Sequence, residues 1–169
     1  IPSSVPPEVG MGAQPGPGDI ASAAAFFLAD VCMALLILED DPNRDAVAEG
    51  ARRQQVVADI GRAFPWPQAQ RTLLERADAR APNRLFVDAL AFQSCGILVS
   101  PEVPPEAEVF AELARVQYDP AGFFIEGGGF DTNYQAVNVL MASALRNSGY
   151  ADATLDAQLV AATNWVLAR

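Results

Sequence analysis

Apolar residues along this chain recur at helical spacing, and no segment sustains the apolar–polar alternation of a full strand. The first run, Ile20 to Leu38, is almost continuously apolar and ends on Glu39-Asp40-Asp41. Asp19 stands where an N-cap belongs, so a helix is expected from there to about Leu38. Pro42 suits the first turn of a second helix reaching about Ala63, with Val47, Val56, Val57 and Ile60 apolar and Glu49, Arg52, Arg53 and Asp59 on other faces. Phe64-Pro65-Trp66-Pro67 reads as a break, because a proline disfavours the helical conformation of the residue before it. Trp66 there is either a surface anchor or packing at a hairpin end.

A short polar helix follows over 68–79, and Pro82 opens another that runs to about Val99 with Leu85, Leu90, Phe92 and Ile97 apolar. Pro101, Pro104 and Pro105 separate it from a helix spanning Glu106 to about Gln117. After a glycine-rich loop, Thr132 to about Asn147 is helical and stops at Ser148-Gly149. The last helix covers Thr154 to about Ala168. Within the loop, only 122–125 has the character of a short strand. The expected fold is therefore all-α. Antiparallel helical hairpins are joined by short Pro/Gly loops, with a partial α/α toroid as one form of that arrangement.

Residues 1–18 differ from the rest. Pro2, Pro6, Pro7, Pro15 and Pro17, interleaved with Gly10, Gly12, Gly16 and Gly18, remove helix donors and add backbone freedom. An extended arm is expected there, followed by a single helical domain over 19–169. The Ile20–Leu38 run is near the length that spans a bilayer, but Asp30 lies at its middle and no Lys or Arg flanks it. A mid-bilayer aspartate is costly, so a core helix rather than a membrane span is the expectation.

Charge narrows the partners. The chain has 11 basic and 21 acidic residues, a net charge of −10. Nucleic acid and anionic membrane surfaces, which are bound through cationic residues, are disfavoured. All the basic residues are arginine; there is no lysine and no histidine. That removes Schiff-base and phosphate-loop lysines, histidine-dependent nucleophile systems and histidine-ligated metals. No metal and no cofactor is expected, and any proton transfer falls to carboxylates, Tyr, Cys or Arg. Cys32 and Cys95 are not in CxxC spacing. Each sits in an apolar helix and reads first as a core residue, with one disulfide between them as the alternative in an oxidising compartment. A start at Ile1 followed by the Pro/Gly arm is what signal cleavage leaves, so an exported protein, periplasmic or extracellular, is expected.

The most distinctive segment is Tyr118 to Gln135, which crowds aromatics, consecutive glycines and carboxylates between two helices. Glycines beside aromatics and carboxylates suit a ligand-facing loop. Candidate ligand contacts are Phe123, Phe124, Glu126, Phe130, Asn133 and Tyr134, with Arg84 at the start of an earlier helix as a bidentate carboxylate binder. Tyr134, Glu126 and Asp131 are the candidates for proton chemistry, and Glu126 with Asp131 could form an acid–base pair. Each has a structural reading too. Thr132-x-x-Gln135 is a capping box with Asp131 just ahead of it, Tyr134 suits a core aromatic, and Arg84 can pair with Asp88 one helical turn on.

The pattern Asp119-Pro120-x-Gly122-x-Phe124, then Glu126-x-Gly128-Gly129-Phe130-Asp131-x-x-Tyr134-Gln135, resembles the inter-helix loops of α/α-toroid proteins. These include the (α/α)-barrel polysaccharide lyases and glycoside hydrolases. The resemblance spans about 82–168. It implies a glycan cleft lined by such loops, aromatics stacked on sugar rings, a tyrosine acid–base at Tyr134 and a uronate-neutralising asparagine at Asn133. Those lyases often add a histidine, which this chain lacks, and the chain is shorter than a complete toroid. The expectation is therefore an exported, non-catalytic binding or assembly module using the arm and the 118–135 loop, with a protein as partner. A glycan-binding or glycan-cleaving domain is the alternative.

Overall fold

The computed structural model describes residues 16–39, 41–42, 46–100, 102–127, 129 and 131–169, with backbone alone for 46–49. Residues 1–15 of the expected arm and the candidate Phe130 lie outside the described residues. The chain is all-α, with helices α1 (Pro17–Glu39), α2 (Ala46–Ala63), α3 (Pro65–Ala69), α4 (Arg71–Ala77), α5 (Pro82–Val99), α6 (Glu106–Arg115), α7 (Thr132–Asn147) and α8 (Ala153–Leu167). Two residue pairs, β1 (Tyr118–Asp119) and β2 (Phe123–Phe124), form a small antiparallel ladder between α6 and α7.

Helix α5 is the axis of the fold. Every side chain from Pro82 to Gly96 is buried except Arg84, as expected of a helix apolar on all sides. Helices α1, α2, α6 and α7 pack around it, and α8 packs on α7. Aromatic contacts tie these elements together: Phe64 against Phe92 at 5.6 Å, Phe92 stacked on Phe110 at 5.5 Å, and Phe86 edge-on to Phe124 at 5.2 Å. The α5–α6 hairpin is closed tightly; a Cβ on Gly96 would come within 2.4 Å of Pro104 Cδ.

Cys32 and Cys95 are joined by a disulfide that pins α1 to α5, with Cα atoms 5.4 Å apart. Both are fully buried, as the core reading expects, and the disulfide given as the alternative is formed. Differences from the expected elements are local. Asp19 is not the N-cap of α1 but lies in its first turn, and its carboxylate accepts from the Gly16 N–H at 2.9 Å, the reach-back half of a capping box. The Phe64–Pro67 stretch does not break the chain into coil. Pro65 occupies the first helical position of α3, where a missing N–H costs nothing, and Phe64 keeps helical dihedrals despite the proline after it. The expected 68–79 helix is consequently two short ones, α3 and α4.

Candidate functional site

The N-terminal ends of α5 and α7 meet beneath the 118–131 loop. The loop is built by a reverse turn: Asp119 accepts from the Gly122 N–H at 2.9 Å through its carbonyl and from the Ala121 N–H at 2.7 Å through its side chain. Gly122 has φ +101°, and a Cβ there would also touch Trp165 at 3.4 Å, so both backbone and space call for glycine. The chain then crosses the start of α5. The Gly127 N–H donates to the Arg80 carbonyl at 2.9 Å, and Arg80 returns a bond to the Gly127 carbonyl at 3.1 Å.

Two buried side chains hold the loop to α7. Gln135, fully buried, accepts from the Phe124 N–H at 2.9 Å and donates through Nε2 to the Phe124 carbonyl. The capping-box reading of Thr132 and Gln135 is thereby corrected. Asp131 is itself the N-cap, accepting from the Asn133 N–H at 2.8 Å and the Tyr134 N–H at 3.2 Å, which moves Gln135 one position too far along the helix to reach back. Asn138, also fully buried, donates to Glu126 Oε1 at 3.0 Å, and the Asn83 N–H at the start of α5 lies 3.4 Å from the same oxygen.

Glu126 is half-buried, and desolvation raises its pKa above the usual carboxylate range. Asp131 adds to the rise, whereas the bonds from Asn138 and Asn83 and the charge of Arg84 oppose it. The candidates Arg84, Glu126 and Asp131 therefore sit within electrostatic reach of one another. Asn133 and Tyr134 are exposed on the adjoining first turn of α7. Phe124 is not a ligand contact: it is fully buried between Phe86 and Tyr118, each 5.2 Å away. Phe123 is half-buried, its ring 5.6 Å from that of the packed Trp165.

Under this surface lies a carboxyl pair that sequence reasoning missed. Asp78, ending α4, and Asp88, in α5, are both fully buried. Arg84 Nη1 bonds Asp78 Oδ1 at 3.3 Å, so the expected Arg84–Asp88 pairing is corrected. Neither Asp88 oxygen meets a protein donor. Burial above all, and then the facing carboxylate of Asp78, push its pKa well above the ordinary value, against a smaller opposing effect of Arg84. Burial thus favours the neutral, protonated form of the Asp88 carboxyl. The signal was there: Asp88 interrupts Leu85-Phe86-Val87 and Ala89-Leu90-Ala91-Phe92, and a carboxylate in a helix apolar all round has no exposed face to occupy.

Among the described residues no cluster of three or more Cys, Asp or Glu side chains suits a metal ion. The arrangement can accept hydrogen bonds through Glu126 and Asp131, donate through Arg84, and offer an aromatic hydroxyl at Tyr134. Comparison of the chain with protein-family models, with curated proteins and with solved structures gives no match.

Proposed function

We propose that this chain is an exported helical binding module that acts by packing against a protein partner rather than by catalysis. The observation that carries the reading is the open face of α1. This helix is long and apolar enough to cross a membrane, with a mean hydropathy of 2.3 in its most apolar window, yet only 33% of that window is buried. Its inner face, Ala21, Ala25, Leu28, Ala29 and Cys32, lies in the core and is bonded to α5. Its outer face presents Phe26, Phe27, Ile37 and Leu38 to solvent, Phe27 at 66% exposure. Asp30 is exposed between the two pairs, and exposed large apolar side chains flanking a single charge mark an interaction site. The Cys32–Cys95 disulfide supports export, since such bonds persist in oxidising compartments. The arm and the 118–135 loop belong to the same proposal as further contact surfaces.

A photo-crosslinking side chain at position 27, in the native host, tests the reading. Adducts at Phe27 that are missing from the same probe at Arg52, on the exposed side of α2, are the expected result. Equal yields at both positions would refute it.

A glycan-directed reading has one observation of its own: Arg84, Glu126, Asp131, Asn133 and Tyr134 share one surface. A glycan-array screen of the wild-type chain beside a Tyr134→Ala, Glu126→Ala double variant decides it. Binding lost in the variant supports a carbohydrate site, and no binding by either protein removes the idea.

A further inference from the structure

At the end of the molecule opposite the loop, α1, α5 and α7 enclose an open groove of about 520 Å³. Its walls are Met33, Leu36 and Ile37 from α1, Ile97 from α5, and Ala144 and Ser148 from the end of α7. We propose that this groove seats an amphipathic helix of a partner polypeptide, apolar along one face and flanked by lysine or arginine. The proposal rests on the binding-module reading and adds the chemistry of the partner.

The apolar lining suits the apolar face of a helix. Apart from Glu39, Asn147 and Ser148 the walls are apolar, supplied by three helices, and Ile37 and Ile97 stand exposed at 63% and 41%. An apolar stripe repeating at i, i+3, i+4 and i+7 fits such a slot.

Charge selects the flanks. All three helices deliver their C-terminal ends here: the groove includes Glu39, the last residue of α1, Asn147, the last of α7, and Ile97, two residues before the end of α5. Three negative dipole ends thus converge on one opening. Glu39 lies there paired with Arg53, and among the described residues no cationic side chain lines the groove. Among the described residues, Arg146 near the end of α7 is likewise engaged, with Asp156 and the Tyr150 carbonyl. A second copy of the chain would bring another net charge of −10 against the same field, so self-association is disfavoured and a basic flank is attracted.

The test is fluorescence anisotropy with a designed leucine-faced helical peptide carrying lysine flanks, beside the same peptide with glutamate flanks. The protein is the wild-type chain or an Ile37→Glu, Ile97→Glu variant, its folding checked by circular dichroism. Both substitutions are at exposed positions and increase the negative charge. Plain electrostatic attraction therefore strengthens lysine-peptide binding in the variant, whereas loss of the groove weakens it. The expected result is at least about a tenfold loss in the variant, and at least about tenfold weaker binding of the glutamate peptide to wild type. Equal or tighter binding by the variant, or no discrimination between the peptides, overturns the proposal. So does self-association of wild type in sedimentation that Ile37→Glu abolishes, which would make a second copy the occupant. Crosslinks at Phe27 persisting alongside any of these failures would leave the binding-module reading standing.

Discussion

Replacing Asp88 with asparagine isolates the cost of keeping a carboxyl group in the middle of α5. The side chain is fully buried, faces Asp78 from the end of α4 and receives only partial compensation from Arg84 on its own helix. Its pKa is raised in the folded chain, so the folded state holds the proton more tightly than the unfolded state does. The sign follows from proton counting. Below about pH 4, the ordinary aspartate value, both states are protonated and the contribution of Asp88 to stability is fully present. As pH rises, the unfolded chain releases the proton while the folded chain keeps it. Stability then falls by about 1.4 kcal/mol per pH unit until the raised folded pKa is passed. The asparagine side chain cannot ionise, keeps the shape of the aspartate and offers its amide to Asp78. Urea unfolding of wild type and Asp88→Asn at intervals from pH 4 to 8 should therefore show the variant gaining on wild type at about that slope, and more stable at neutral pH. Parallel profiles would mean that Asp88 ionises alike folded and unfolded, and would refute the raised pKa.

Other substitutions probe the scaffold. Removing the disulfide with Cys32→Ala and Cys95→Ala opens a link across a sequence separation of 63, which chain-entropy arguments value at about 4 kcal/mol; chemical denaturation with and without reductant should give that loss in wild type and none in the variant. Gln135→Leu keeps the volume but strips both bonds to the buried Phe124 backbone, costing about 1–3 kcal/mol for each orphaned group. Thermal unfolding checks it, and an unchanged Tm would show that the loop is not held through Gln135. Gly96→Ala places a methyl group against Pro104 and should destabilise by about 1–3 kcal/mol, outweighing the ~1 kcal/mol gain in helix propensity; a net gain in urea would show that the α5–α6 loop gives way.

Helix existence and type followed from local chemistry. The start of α5 at Pro82 and the full span of α7, Thr132–Asn147, were readable from proline and from apolar periodicity, because both act within one or two turns. The all-α class follows from the same pattern. Single-residue cap register was less secure: Asp131 and Thr132 are both good caps, and the choice fell to Asp131 once the buried Phe124 backbone engaged Gln135. Part of the candidate surface was readable as residue types suited to binding, and the structure does bring Arg84, Glu126 and Asp131 together. It withdraws Phe124 into the core, since an aromatic in a glycine-rich loop looks alike whether it faces solvent or Phe86.

Tertiary packing decided the rest. The Asp78–Asp88 pair joins two helices, Glu126 takes its hydrogen bonds from residues 43 and 12 positions away, and the disulfide links helices 63 residues apart. The apolar run of α1 carried no mark of which residues would be covered, because almost every position could serve either face. Hydrophobic periodicity reports how a segment divides its own surface, and α1 and α5 are apolar nearly all round. For such helices burial is set by the neighbours that the rest of the chain supplies: α5 is enclosed by α1, α2, α6 and α7, while α1 has its core contacts on one side.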